Sequence, residues 1–502
     1  MECEAAFFPK GLHIFKHHAG CLVFHPGSFS LFRVSEALGT ALSELQRGTE
    51  CGQVAEYLGV EEIELAEKVS AIQARIDAES PAHHALQDDI PAARDINLTL
   101  HVSNACNLDC LYCYAKGGDY GQQTRAHMDA KLAVLAVEKM YRHFRGIRGI
   151  MFFGGEPALA TNVIATVCSH IRNKFEQHGI AALPQYKMVT NGTLMTETML
   201  DLIRRHDIQV TVSVDGPKEL HDKLRPFKNG KGSYDSVRNG FYQIVTKTDR
   251  VPSLEATYTK AHLDAGISMN GLMEFLSKEF MFTIGTVAQV QLPQNHPLSL
   301  SDQAASSEME DALEKLTATM ARGEVPEAER SVLSPIVQFL MKKATRFQCA
   351  IGHDAFNITA EGDVYPCQIF IGRPEFCMGS VKDFDPANPA PQLQRTIDRL
   401  SFCDKQRNPM CHECWARGFC FSCPGSRTFA DNGDRVPESF CREMKHWVER
   451  VLAAIYDIRS NPVAWQSFLK SLKQLAAREA SAGMHSDEVQ SAEAALSRAV
   501  IA

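Results

Sequence analysis

Ile96-Asn-Leu-Thr-Leu-His-Val-Ser-Asn-Ala-Cys106-Asn-Leu-Asp-Cys110-Leu-Tyr-Cys113 runs from a strand pattern straight into three cysteines spaced C-x3-C-x2-C. Three thiolates on one short loop can hold three irons of a [4Fe–4S] cube and leave the fourth iron open. An open coordination position of that kind marks a catalytic centre. A fourth cysteine would close the centre and suit plain electron transfer. The competing reading is a zinc site completed by His101 or His127. Zinc loops, however, favour paired C-x2-C groups with distant partners.

Outward from this loop, strand and helix patterns alternate. Strands are expected at Ile96–Val102, Gly149–Phe153, Tyr186–Thr190, Gln209–Val214, Leu254–Tyr258 and Phe282–Val290. Helices are expected between them, among them Asp129–Phe144, Thr161–His178 and Thr196–Arg205. Repeated βα units mean an α/β fold with a parallel sheet covered by helices. Six such units fit an open, partial (β/α)6 barrel better than a closed eight-unit one. Barrels of this kind place chemistry on the loops after the strands.

The remaining motifs of this region fall on those loops. Phe152-Phe153-Gly154-Gly155-Glu156-Pro157 ends the second strand, Thr190-Asn191-Gly192-Thr193 the third and Ser213-Val214-Asp215-Gly216-Pro217 the fourth. His221-Asp222-x-x-Arg225 and Gly232-Ser233-Tyr234 follow. Gly154 and Gly155 let backbone approach a ligand closely. Glu156 offers a charged acceptor for an ammonium, and Arg225 a fork for a carboxylate. Taken singly, the first motif reads equally as a tight turn and Arg225 as a surface salt bridge. In this order behind Cys106, Cys110 and Cys113, with aromatic Tyr112, they resemble the radical S-adenosylmethionine (SAM) enzymes over about residues 96–300. The resemblance implies a catalytic [4Fe–4S] cluster on the three cysteines. It also implies a SAM site that includes Tyr112, Gly154, Gly155, Glu156, Pro157, Asn191, Ser213, Asp215 and Arg225.

A second cysteine group occupies the loop-rich stretch 346–445: Cys349-x12-Gly362-x4-Cys367, then Cys411-x2-Cys414-x5-Cys420-x2-Cys423-x17-Cys441. Long apolar runs are scarce there, so a metal-stapled domain is expected. A zinc ribbon would separate its two knuckles by roughly 15–20 residues, and here five intervene. The pattern resembles the SPASM extension of peptide-modifying radical SAM enzymes. By that resemblance Cys411, Cys414, Cys420 and Cys441 ligate an outer auxiliary [4Fe–4S] cluster, and Cys349, Cys367 and Cys423 an inner one. Two departures stand out. The last knuckle pair is spaced x2 where the family has x3, and Ala355 stands where a further cysteine is common. The inner cluster then has either an open iron or a ligand from Cys377 or Cys403. Gln368 occupies the position where anaerobic sulfatase maturases carry an Asp base, which argues against formylglycine formation.

Residues 1–76 read as three short strands (Leu12–Phe15, Cys21–Phe24, Ser30–Arg33) and helices at about 35–47, 51–58 and 61–76, capped at Ser35 and Thr49. The pattern resembles the PqqD-like, winged-helix peptide-recognition domain. In that reading a leader peptide adds a strand to the small sheet. The alternatives are a structural cap on the barrel and a DNA reader. Glu56, Glu61, Glu62, Glu64 and Glu67 disfavour the latter. Residues 77–95 form a linker, 96–310 the barrel, 311–345 a helical connection and 446–502 a helical C-terminal region, Ala-rich from 476.

The 502 residues carry 52 Lys+Arg against 60 Asp+Glu, a net charge of −8, which argues against broad phosphate binding. Apolar content of 45% and charged content of 22% are globular values. With no secretory signal and no membrane-length apolar run, a cytoplasmic protein is expected, where 16 cysteines point to metal rather than disulfides. Cys3, Cys21, Cys51 and Cys168 are scattered and read as small buried hydrophobes.

The resemblance implies an enzyme that modifies a ribosomally made peptide. Thioether crosslinking is favoured, as in the six-cysteine-peptide and quinohemoprotein amine dehydrogenase maturases. A 5′-deoxyadenosyl radical would remove a hydrogen and a flavodoxin- or ferredoxin-type donor would supply electrons. Carbon–carbon crosslinking or another oxidation of a peptide by the same radical chemistry is the alternative within enzymes. An iron–sulfur carrier or zinc scaffold is the alternative outside them, and neither has use for a SAM pocket.

Overall fold

The computed structural model describes residues 11–79, 83–84, 94–121, 127–280, 284–325, 328–347, 349, 351–383, 391–421, 423, 425 and 438–481. Cys3 and most of the Ala-rich C-terminal stretch lie outside them.

Strand periodicity builds the central sheet. In the strand Ser253–Tyr258, Leu254, Ala256 and Tyr258 are buried under helices, while Ser253, Glu255 and Thr257 turn to the other face. The same alternation recurs in Gln185–Thr190 and Gln209–Ser213. Numbered along the chain, the strands are β1 (His13–His17), β2 (Gly20–His25), β3 (Ser30–Val34), β4 (His83–His84), β5 (Asp95–Ser103), β6 (Gly146–Gly154), β7 (Gln185–Thr190), β8 (Gln209–Ser213), β9 (Ser253–Tyr258), β10 (Ile284–Gln289), β11 (Ala328–Glu329), β12 (Lys343–Ala344), β13 (Ala355–Ile358) and β14 (Val364–Tyr365). Strands β5 to β10 lie side by side in chain order and parallel, the expected six units.

The sheet does not stop at β5. β13 pairs with it in parallel, from Ala355 opposite Asn97 to Ile358 opposite Leu100, and β14 closes the edge antiparallel. An uncovered edge on β5 would offer free N–H and C=O groups to any passing strand. The cysteine-rich region therefore begins as part of the barrel sheet, a continuity that no local sequence pattern announces.

Residues 13–77 form the small three-stranded sheet with helices Glu36–Gln46, Cys51–Leu58 and Glu62–Asp77, around a core of their own. Ser35 caps the first helix, accepting from Leu38 N at 3.2 Å. The second is preceded by Glu50, not Thr49, whose hydroxyl turns back to Glu44. Two aromatics leave this core: Phe24 and Phe29 pack on Phe419 with ring centroids 5.7 and 4.7 Å apart. His13 stacks on Trp415 at 3.5 Å and 7°. Both contacts land on the segment between Cys414 and Cys420, so the small sheet and the cysteine-rich region share an apolar interface.

Helix Glu438–Ser460 packs on the same face through ion pairs. His13 Nε2 lies 2.8 Å from Glu449 and His17 Nε2 3.0 Å from Asp457. His17, His18 and Asp457 are the one trio of ligand-type atoms within 4.8 Å of one another among the described residues. Ala19 N–H donates to His17 Nδ1 at 3.3 Å, which leaves only Nε2 of that ring as a possible ligand atom. No described helix is long and apolar enough to cross a membrane.

Candidate active site

The three-cysteine loop leaves β5 and is held on both sides by backbone. Asp109 N donates to Pro226 O at 2.8 Å and Leu111 N to Leu224 O at 3.0 Å. On the other side Gly155 N donates to Ser103 O and Glu156 N to Ala105 O, each at 2.8 Å. This contact explains the glycine pair. A Cβ on Gly154 would sit 2.2 Å from Ser103 O, and one on Gly155 2.4 Å from Ala105 O. Gly154 also has φ +132°, outside the range of side-chain-bearing residues. The room those glycines leave is used by the cysteine loop itself.

The sulfurs are prepared as ligands. Leu108 N–H points at Cys106 Sγ from 3.4 Å, Gly117 N–H at Cys113 Sγ from 3.5 Å, and Asn191 Nδ2 at Cys106 Sγ from 3.8 Å. Donors of this kind stabilise thiolates bound to iron. Burial pushes Cys110 up to about 12, with Arg225 pulling back. Burial raises the Cys106 thiol as well, so a positive centre beside the loop would favour the thiolate form of both. A lone zinc ion would gather its thiolates about 3.8 Å apart, given Zn–S bonds near 2.3 Å. Among the described residues no three cysteine sulfurs lie within even 4.8 Å of one another.

Around the loop, the sequence-selected residues form one network. Arg225 donates from a terminal nitrogen to Tyr112 OH at 2.6 Å, Tyr112 donates in turn to Asp215, and Arg225 lies 3.7 Å from Asp215. Arg225 Nε is buried and has no partner, a donor left over for an incoming carboxylate. Thr257 N donates to Asp215 Oδ1 at 3.1 Å. His221 and Ser233 brace the strand end: Asp215 N donates to His221 Nδ1 at 3.2 Å, His221 Nε2 meets Ser233 Oγ at 3.0 Å, and Ser233 donates to Arg225 O at 2.6 Å.

Glu156 is fully buried, and its carboxylate already holds three donors: Thr190 Oγ1 at 2.6 Å, Asn191 N at 2.8 Å and Ala158 N at 2.9 Å. It ties the end of β6 to the end of β7. Asn191 continues to Asn107 at 2.8 Å, inside the cysteine loop. Pro157 starts a short 3-10 turn behind Glu156, and Ser213 ends β8 opposite Glu255. Tyr112, Glu156, Asn191, Asp215 and Arg225 thus gather around the loop.

The later cysteines separate into two sets. Burial pushes the Cys367 thiol up to about 12, and the sulfurs of Cys423 and Cys349 add to it. Burial likewise pushes Cys411 up to about 11, joined by Cys420, Cys414 and Cys441. Cys377 Sγ lies 3.8 Å from Gly379 O and beside Tyr365, against the same apolar cluster that Cys349 and Cys367 touch. Cys403 is buried in the small apolar cluster that also contains Tyr365 and Phe370. Cys367 Sγ donates to Gln368 Oε1 at 3.2 Å.

Three residues escaped the sequence reading. Tyr114 is 39% exposed, yet burial pushes its hydroxyl well up, helped by Cys367, Cys113 and Glu255. Tyr114 thus sits between the first cysteine loop and Cys367. Tyr120 packs at 6.1 Å from Tyr114 and near His101, whose Nε2 meets Asn357 at 3.0 Å. Glu255 on β9 lies near Tyr114 as well; burial raises its carboxyl, and Arg225 draws it back down. An inward glutamate among Leu254, Ala256 and Tyr258 was the available signal.

Residues 100–245 match the family model of the radical SAM superfamily. An uncharacterized protein of Methanocaldococcus jannaschii is 28% identical over 57% of this chain and 89% of its own length. The cysteine-type anaerobic sulfatase-maturating enzyme of Clostridium novyi is 23% identical over 56% of this chain and 75% of its own. The solved structure of anSMEcpe with bound AdoMet superposes with a TM-score of 0.59 at 18% identity, covering 73% of this chain and 99% of that one. The braced three-cysteine loop and the network around Arg225 both fall within the match, so residues 100–245 form a radical SAM domain.

Proposed function

We propose that this enzyme modifies a ribosomally made peptide by joining a cysteine sulfur to a carbon of the same peptide. The observation that carries the reading is the inner sulfur set. Cys349 and Cys423 lie near Cys367, which lies near Tyr114, while Cys377 Sγ contacts Gly379 O. Three protein sulfurs would hold an auxiliary cluster with one place left for a substrate thiolate, a place that carbon–carbon crosslinking does not need. The sulfatase-maturating relative is itself named for acting on a protein.

With its clusters bound, the enzyme gains reductive cleavage of SAM to methionine and a 5′-deoxyadenosyl radical that takes a hydrogen atom from a substrate carbon. Cys106, Cys110 and Cys113 would hold the catalytic cluster, and Cys411, Cys414, Cys420 and Cys441 the outer auxiliary one. Arg225 Nε offers the free donor for the SAM carboxylate, oriented by Tyr112 and Asp215. Tyr114 and Tyr120, packed on one another beside the cysteine loop, exclude water from the radical. Glu255 receives the proton of the substrate thiol. Residues 13–77 bind the leader of the precursor, cradled beside the Trp415 segment. A flavodoxin- or ferredoxin-type donor supplies the electron.

The test is anaerobic reconstitution with dithionite, SAM and a cysteine-containing peptide encoded beside the gene. Mass spectrometry should find two hydrogens lost per crosslink and one thiol no longer alkylated by iodoacetamide. Loss of two hydrogens with every thiol still alkylated would establish carbon–carbon crosslinking instead. Absence of 5′-deoxyadenosine would overturn the enzymatic reading.

A further inference from the structure

Lys405 is buried, 2% exposed, at the edge of the outer cysteine set. Its ammonium spends all three protons on neutral acceptors: Thr345 Oγ1 at 2.8 Å, Arg417 O at 2.7 Å and Cys420 O at 3.1 Å. No carboxylate lies within 4 Å of Nζ among the described residues. The adjacent Asp404 is taken by Arg346, whose guanidinium reaches it at 2.8, 3.1 and 3.2 Å. Arg417 adds a like charge nearby.

A buried cation without a counter-ion is strongly unfavourable. The negative partners available to this one are the sulfurs of Cys420, Cys411 and Cys414. As thiolates on a cluster these form a net anion, which resolves the imbalance. The backbone arrangement is specific: the carbonyls of Arg417 and Cys420 sit in the very segment that spaces Cys414 from Cys420. Lys405 therefore folds that segment and charges it at once.

We propose that Lys405 is the fixed counter-charge of an anionic iron–sulfur centre held by Cys411, Cys414, Cys420 and Cys441, raising its reduction potential and securing its iron. This rests on the reading of the outer four cysteines as cluster ligands. A nearby positive charge favours the more negative, reduced state of a cluster, and charge and hydrogen bonding are the levers by which a protein sets such potentials. Lys405 is thus a positioning residue, acting on the centre without ligating it.

The experiment removes the catalytic cluster first. A Cys106→Ala/Cys110→Ala/Cys113→Ala protein, reconstituted anaerobically, is compared with the same protein carrying Lys405→Met or Lys405→Gln. Methionine keeps much of the stem and removes a buried charge, and glutamine keeps hydrogen bonding without charge. EPR-monitored redox titration and the rate of iron loss to a chelator are the readouts. The proposal expects both variants to shift one of the two remaining midpoints to lower potential and to lose that iron faster, with the second midpoint unchanged. Unchanged midpoints and unchanged iron loss, in proteins that hold both auxiliary clusters, would overturn the role of Lys405 alone. Absence of iron–sulfur signals already in the triple cysteine protein would overturn the cluster reading, and this proposal with it.

Discussion

Arg225 and Tyr112 are joined at 2.6 Å across 113 positions of sequence, the arginine from the segment behind β8 and the tyrosine from inside the cysteine loop. The bond sets the loop's height over the barrel and leaves Arg225 Nε as the unused donor. Tyr112→Phe removes the acceptor of a charged donor, a change of about 1.5–3 kcal/mol. The expected outcome is SAM binding weakened by roughly tenfold or more, with iron content retained. Equilibrium binding of SAM to the reconstituted protein checks this. Unchanged affinity would detach Arg225 and Tyr112 from the SAM site.

Gly154→Ala places a methyl 2.2 Å from Ser103 O at φ +132°. Backbone, not a flexible side chain, would have to move. A loss of roughly 1–3 kcal/mol is expected, together with reduced iron in the catalytic cluster. Chemical denaturation and EPR of the reconstituted protein measure the two effects. By contrast Gly230, with open space around it, should change iron content little when replaced.

The two cysteine sets make opposite predictions for neighbouring residues. Cys423→Ala should remove one cluster's worth of iron, because Cys423 faces Cys367. Cys377→Ala should leave iron content unchanged, because that sulfur is occupied by Gly379 O and Tyr365. Iron and sulfide analysis decides between them, and equal losses would return Cys377 to the ligand set.

Glu255 has to be ionised to accept a proton, so crosslinking should fall as pH drops through its pKa. Burial raises that pKa, so the acidic limb lies above the ordinary glutamate range. Glu255→Gln should lower crosslinking by roughly 100-fold and abolish this limb, while 5′-deoxyadenosine is still formed. A mutant with the wild-type pH profile would remove Glu255 from proton transfer.

His13→Ala removes the ring stacked at 3.5 Å on Trp415 and the partner of Glu449. An aromatic pair contributes about 0.5–1.5 kcal/mol beyond its buried area. The expected result is faster proteolysis between residues 77 and 95, with the barrel's melting behaviour preserved.

The barrel was legible because its signals are local. Leu254, Ala256 and Tyr258 alternate with polar neighbours, and Cys106, Cys110 and Cys113 are close in sequence. The cysteine groups were legible through spacing. What escaped depends on long-range placement. β13 is four residues long and gains its meaning only by lying on β5, 258 positions earlier at Ala355 and Asn97. Glu255 hides in a strand that reads as ordinary. Lys405, in a loop, reads as a surface charge, and only the fold reveals the acceptors around it. Trp415 reads as a loop aromatic until His13 arrives from the far end of the chain.

The pairing of β13 with β5 also orders the chain's birth. While a ribosome is still making the first 350 or so residues, the strand that leads into Cys106 has one edge with nothing on it. That edge is closed by residues 355–358, which are flanked by Cys349 and Cys367. The nascent barrel is therefore exposed to wrong partners until residues 355–358 emerge. A chain truncated before Ala355 should then aggregate, where the chain that includes β13 does not.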